Sequence, residues 1–124
     1  MRRMTITAGS VSMTAELNES ATATKIWDAL PIQARANRWG DEIYFSIPVD
    51  AEESPDARAQ VEVGEIAYWP PGSAFCIFWG PTPASSGAQP VAASPVNVVG
   101  RVLGDATQFR AVPSGTSITL EKVE

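Results

Sequence analysis

Histidine is absent from this chain, and cysteine occurs once, at Cys76. The first absence excludes Ser-His-Asp, Cys-His and HExxH chemistry, because each needs an imidazole to carry a proton or hold a metal. The second excludes an intrachain disulfide and any CxxC metal site. A metal would then depend on oxygen ligands, yet the chain has no DxDxDG-type loop. Its acidic run, Glu52, Glu53 and Asp56 around Pro55, reads as a solvated loop. No metal and no cofactor is expected. Basic residues are also scarce, with nine Lys and Arg against 14 Asp and Glu and a formal charge of −5. Nucleic acids and anionic membranes both attract basic surfaces, so neither is an expected partner. No apolar run approaches the roughly 20 residues that cross a bilayer. Arg2-Arg3 is followed by Thr5, Thr7 and Ser10 where a signal peptide would have an apolar segment. A cytoplasmic protein is the expectation.

What is present points to a single β-rich domain spanning 1–124. The 124 residues are 44% hydrophobic, enough for one core. Met4, Ile6 and Ala8 alternate with polar residues, then comes Gly9-Ser10, then Val11, Met13, Ala15 and Leu17 alternate again. Period-two patterning on both sides of a two-residue Gly-Ser loop predicts a β-hairpin. The period then changes. Ala23, Ile26, Trp27 and Leu30 fall at helical spacing, with Ser20 or Thr22 as cap and Pro31 as terminator. That helix should lay Trp27 over one mouth of the sheet. Strands are expected over 32–38, Glu42–Ile47, Val61–Val63, Ile66–Trp69, Ala74–Trp79, Val96–Leu103 and around Ile118–Leu120. Segments 48–60 and 80–95 read as loops, and Asp105–Arg110 as a helical turn. The sum is a mostly β fold, a closed barrel of about eight short strands with one or two short helices capping its ends.

The densest information lies between Gly64 and Pro83, where two aromatic-rich strands meet at Pro70-Pro71-Gly72. Trp39, Trp69 and Trp79 each stand beside a glycine or proline. Such aromatics either fill the ends of a barrel core or line a concavity. Strand alternation puts Ala74, Cys76 and Phe78 on one face and Phe75, Ile77 and Trp79 on the other. Cys76 between two aromatics reads as a small buried hydrophobe. Asn97 in an apolar strand should satisfy a loop backbone or a ligand, and Tyr44 should bring its hydroxyl to the rim. Arg38 should stack on the indole of the adjacent Trp39, pair with Glu42 across the turn, or take a catalytic or ligand-anchoring role.

In this order of elements the chain resembles the cyclophilin-like barrel, and in particular a small prokaryotic family of cyclophilin-like proteins without an established role. The resemblance rests on Trp39-Gly40-Asp41-Glu42-Ile43-Tyr44-Phe45, Gly64-Glu65-Ile66-Ala67-Tyr68-Trp69-Pro70-Pro71-Gly72, Ala74-Phe75-Cys76-Ile77-Phe78-Trp79-Gly80 and Pro95-Val96-Asn97-Val98-Val99-Gly100. Cyclophilins proper are peptidyl-prolyl isomerases. The X–Pro barrier of roughly 20 kcal/mol is lowered without nucleophile or proton transfer, by an apolar pocket and an arginine. The resemblance therefore implies Arg35 or Arg38 as the catalytic candidates. It implies a groove bordered by Tyr44, Trp69, Cys76, Phe78 and Asn97, taking a small molecule or a proline-containing peptide. Departures are clear: Ala34-Arg35-Ala36-Asn37-Arg38-Trp39-Gly40-Asp41 lacks the family's Gln-Gly-Gly motif, and Trp69 and Pro70 replace small groove residues. Binding without conventional isomerase activity is the leading expectation. A weak or atypical isomerase and an oligomer-forming subunit are the alternatives.

Overall fold

A computed structural model describes residues 2–123. Its first elements follow directly from the period-two pattern. Strands β1 (Arg2–Ala8) and β2 (Val11–Leu17) pair in register from Arg2 opposite Leu17 to Ala8 opposite Val11. Gly9 supplies the positive φ of 60° that the tight turn requires. Every second residue of both strands, Met4, Ile6, Ala8, Val11, Met13, Ala15 and Leu17, is buried. Helix α1 (Ala21–Ala29) starts where the Ser20 hydroxyl accepts the Ala23 N–H at 3.2 Å, and buries Thr22, Ala23 and Ile26. Trp27 packs half-buried against the core, with Lys122 Nζ 5.0 Å and Arg2 Cζ 5.8 Å from its ring.

The remaining strands are β3 (Ile32–Arg35), β4 (Asn37–Arg38), β5 (Glu42–Ser46), β6 (Arg58–Gln60), β7 (Glu65–Trp69), β8 (Ala74–Phe78), β9 (Val91–Val102) and β10 (Ser117–Lys122). Short 3-10 turns occupy Pro70–Gly72 and Ala106–Ala111. All the pairings are antiparallel, in the order β3-β10-β1-β2-β9-β7-β8-β5-β4, with β6 added against β9.

The expected closed barrel of about eight strands is thereby corrected to a ten-stranded sheet that hydrogen bonds do not close. Its two end strands, β3 and β4, are neighbours in sequence, separated by Ala36 alone. The covalent chain therefore joins the two ends of the ladder where no hydrogen-bonded pairing does. The reason is local. Ala36 spends its N–H on Thr116 O (2.9 Å) and its carbonyl on Gly115 N–H (2.8 Å), while the chain changes partner from β10 to β5. The expected strand over 32–38 is thus two strands.

Two other boundaries move. The strand expected at Val61–Val63 lies earlier, as β6, inside the segment read as a loop. Strand β9 begins at Val91, so the loop after Gly80 is shorter than expected. That loop is tied by its own hydrogen bonds. The Thr82 hydroxyl donates to Val91 O, Ser85 Oγ donates to Gln89 O at 2.8 Å, and Thr82 N–H reaches Ser85 Oγ at 2.9 Å.

Curling and overlay create two apolar layers. The larger core lies on the face carrying Met4, Ile6, Ile43, Phe45, Tyr68, Phe75, Ile77, Trp79 and Phe109. On the opposite face of β5, β7 and β8, the start of β9 and Val61 cover Ala67, Cys76 and Phe78. All five residues of β8 are buried, which explains a strand that reads as one continuous apolar run.

Candidate functional site

The second apolar layer is incomplete, and the gap is a cavity of about 230 Å³. Trp39, Glu42, Tyr44, Trp69, Cys76 and the β9 residues Ala92, Ala93 and Val96 line it. Strand geometry explains the gathering. Glu42 and Tyr44 are two apart on β5 and so share a face, and Tyr44 pairs directly with Cys76 on β8. Cys76 in turn pairs with Ala67 on β7, at whose end Trp69 stands.

The two indoles are held by different means. Trp39 opens a turn in which its N–H reaches Glu42 O at 3.0 Å and Gly40 takes a φ of 63°. A Cβ at Gly40 would lie 2.9 Å from Thr82 Cα, so this turn packs backbone to backbone on the 81–83 segment. Trp69 donates its indole N–H to Ser94 Oγ at 2.8 Å. Its ring also rests on Gly72, where a Cβ would come within 2.8 Å of Cζ3. The Trp69 wall is thus fixed before anything binds.

The electrostatics centre on Glu42. It is 5% exposed, and burial pushes its carboxyl up from 4.5 to about 7, an effect opposed by hydrogen bonding with the Cys76 thiol. Burial, with the neighbouring Glu42 carboxylate, pushes the Cys76 thiol well up too. Among the described residues the ion pairs are Arg3–Glu16, Arg58–Glu65 and Arg110–Asp41, none of which includes Glu42.

Of the residues expected at a groove, the cavity brings together Tyr44, Trp69 and Cys76. Phe78 is fully buried beside them in the second layer and is not a lining residue. Asn97 lies elsewhere: its amide donates to Glu52 O (2.8 Å) and Thr22 Oγ1 (3.1 Å), and its oxygen accepts the Ser54 N–H (2.8 Å). Neither arginine lines the cavity. Arg35 donates to Gly115 O at 3.1 Å. Arg38 donates to the carbonyls of Gly40, Arg110 and Val112, with its Cζ 5.0 Å from the Trp79 ring centre. Of its expected structural roles neither is met: the guanidinium lies over Trp79 and not over the adjacent Trp39, and a pair with Glu42 is not formed.

Sequence reasoning left Trp39 open between filling a core and lining a concavity, and missed Glu42, Ala92, Ala93 and Val96 as cavity residues. For Glu42 a signal existed: Ile43, Phe45 and Ile47 alternate as core, which puts Glu42 on the Tyr44 face. For Ala92 and Ala93 none did, because Val91–Pro95 has no readable period.

The profile of the cyclophilin-like family matches residues 2–121. The chain belongs to the cyclophilin-like family. A structure similar to it is the solution structure of the hypothetical protein AF2241 from Archaeoglobus fulgidus. The two are 40% identical with a TM-score of 0.83, covering 98% of this chain and 95% of the archaeal one. That protein is described as hypothetical, so the likeness brings a shared fold and no activity. No curated protein matches the chain. Among the described residues, no helix is long and apolar enough to cross a membrane.

Proposed function

We propose that this cyclophilin-like protein is a binding module whose cavity takes a small molecule, or one side chain of a short peptide such as a prolyl ring, without isomerase chemistry. The observation that carries the reading is a cavity of about 230 Å³ walled by Trp39, Tyr44 and Trp69 over the small residues Cys76, Ala92 and Ala93. Pockets for drug-sized ligands run to about 300–1,000 Å³, so the ligand is smaller than that. Prolyl isomerisation needs a guanidinium beside the pocket, and Arg35 and Arg38 are engaged with backbone carbonyls outside the lining.

The test is a fragment and Ala-Pro peptide titration followed by NMR at the indole N–H signals. Binding should move Trp39 and Trp69 and leave the buried Trp79 still. A library that moves neither indole removes the reading. A cis–trans assay run alongside should give no acceleration. Acceleration lost in Arg35→Ala or Arg38→Ala would replace a binding module by an isomerase.

A further inference from the structure

The cavity contains a buried carboxyl that no cation of the fold neutralises. Glu42 is 95% shielded from solvent by the residues around it, being 5% exposed, and its carboxyl lines the cavity. The titratable groups beside it are the Cys76 thiol on β8 and, on β5, Tyr44 across the same cavity. Its sequence neighbour Asp41 is turned to Arg110 at 3.5 Å, and no basic side chain lines the cavity. A buried carboxyl without a cation is costly, and a glutamine or an apolar residue would serve packing better. A carboxylate beside three aromatic rings is, on the other hand, a receptor for a soft cation.

We propose that the cavity is an organic-cation site, in which a ligand's ammonium group pairs with the Glu42 carboxylate among the rings of Trp39, Tyr44 and Trp69. This inference rests on the reading of the cavity as a binding site and names its ligand class. A metal ion is the less suitable occupant. No group of three or more carboxylates and thiols occurs among the described residues, and a single carboxyl in an apolar wall cannot complete a coordination shell. An alkylammonium suits better, since it needs one counter-charge and is otherwise satisfied by aromatic surface. The cavity's volume fits a small amine, and the Trp69–Ser94 hydrogen bond together with Gly72 fixes one wall in advance.

Binding of a cation should be linked to proton release. With the free carboxyl titrating at about 7, the site is mostly protonated at pH 6 and mostly ionised at pH 8. Affinity for a cation should therefore rise about tenfold across that interval. A neutral ligand should show no such rise.

The experiment is calorimetric titration of the full chain with choline and with 3,3-dimethylbutan-1-ol, in which an uncharged carbon replaces the ammonium nitrogen. The expected result at pH 8 is that choline binds at least about tenfold tighter than the alcohol. Glu42→Gln, checked for folding by circular dichroism, should abolish that preference and the pH dependence together. A third arm, Nα-acetyl-trimethyllysine amide, distinguishes a peptide side chain from a free small cation as the source of the ammonium group once choline has bound more tightly than the alcohol. Equal binding of choline and the alcohol overturns the cation site and leaves the apolar binding reading standing. Binding of none of the three overturns the cation site and, together with a silent fragment screen, the binding reading. Because the choline–alcohol comparison uses the unaltered protein, the proposal stays falsifiable if Glu42→Gln fails to fold.

Discussion

Glu42 makes the stability of the free protein depend on pH in a direction opposite to that of a salt-bridged carboxylate. Its folded value, about 7, lies above the 4.5 of the unfolded chain, so the folded state holds the proton more tightly. Ionising Glu42 therefore costs the folded state nothing below about pH 4.5, progressively more up to pH 7, and a constant amount above it. A shift of that size corresponds to about 3 kcal/mol. Glu42→Gln should accordingly be near neutral at pH 4.5 and stabilising by up to about 3 kcal/mol at pH 8, as read by urea denaturation at both values. Equal effects at the two pH values would mean that Glu42 is not desolvated. Its neighbour Cys76 is 2% exposed with its thiol pushed up, so it stays protonated and shielded. A thiol reagent such as a maleimide should modify the native protein only as fast as it opens, and promptly in denaturant.

At the scale of elements, Asn97 is a tie between segments distant in the chain. From β9 it ties α1 through Thr22 and the 52–54 segment through Glu52 O and Ser54 N–H. Asn97→Ala leaves a part-buried carbonyl and N–H without these partners, a loss of about 1–3 kcal/mol. Amide exchange should quicken in 50–57 more than in β1 or β2; a uniform change would deny Asn97 this anchoring role. Trp69 depends on its neighbour in a similar way. Gly72→Ala puts a Cβ within 2.8 Å of the indole and should displace it from the cavity wall, weakening ligand binding with little change in stability. The contrast between these elements explains what could be read in advance. Hairpin β1–β2, helix α1 and strand β10 each bury one face, so their period was visible. Residues 58–60 and 91–95 are not legible that way, because β6 packs by adding to β9 and Val91-Ala92-Ala93-Ser94-Pro95 carries no apolar–polar alternation. The candidate site inherits that limit: Tyr44, Trp69 and Cys76 come from strands with aromatic content, whereas Ala92 and Ala93 come from the unreadable start of β9.

For the whole molecule, the decisive feature is how an unclosed sheet keeps its edges together. Barrels usually remove edge strands by completing the ladder. Here β3 and β4 remain the ends of the ladder, and the seam between them is sealed by side chain and turn. The Ala36 backbone is fixed to residues 115–116 at 2.8 and 2.9 Å. Arg38 then reaches across from β4, donating to Arg110 O at 3.2 Å and Val112 O at 3.1 Å at the 3-10 turn. Its guanidinium lies 5.0 Å from the centre of the buried Trp79 ring, so one cation joins β4, the 3-10 turn and the main core. An arginine suits this task because its planar fork supplies several donors and a stacking face at once, which a lysine ammonium does not. It follows that Arg38 is a seam residue and not a cavity residue. Arg38→Ala should cost about 1–3 kcal/mol by loss of its carbonyl hydrogen bonds, of which the one to Val112 O is part-buried, and of its contact with Trp79, and Arg38→Lys should recover only a fraction of it. Amides of 36–38 and 110–112 should lose protection first, while the affinity of the cavity for any ligand found there stays as in the parent protein. A variant that kept its stability but lost ligand binding would move Arg38 from the seam to the site.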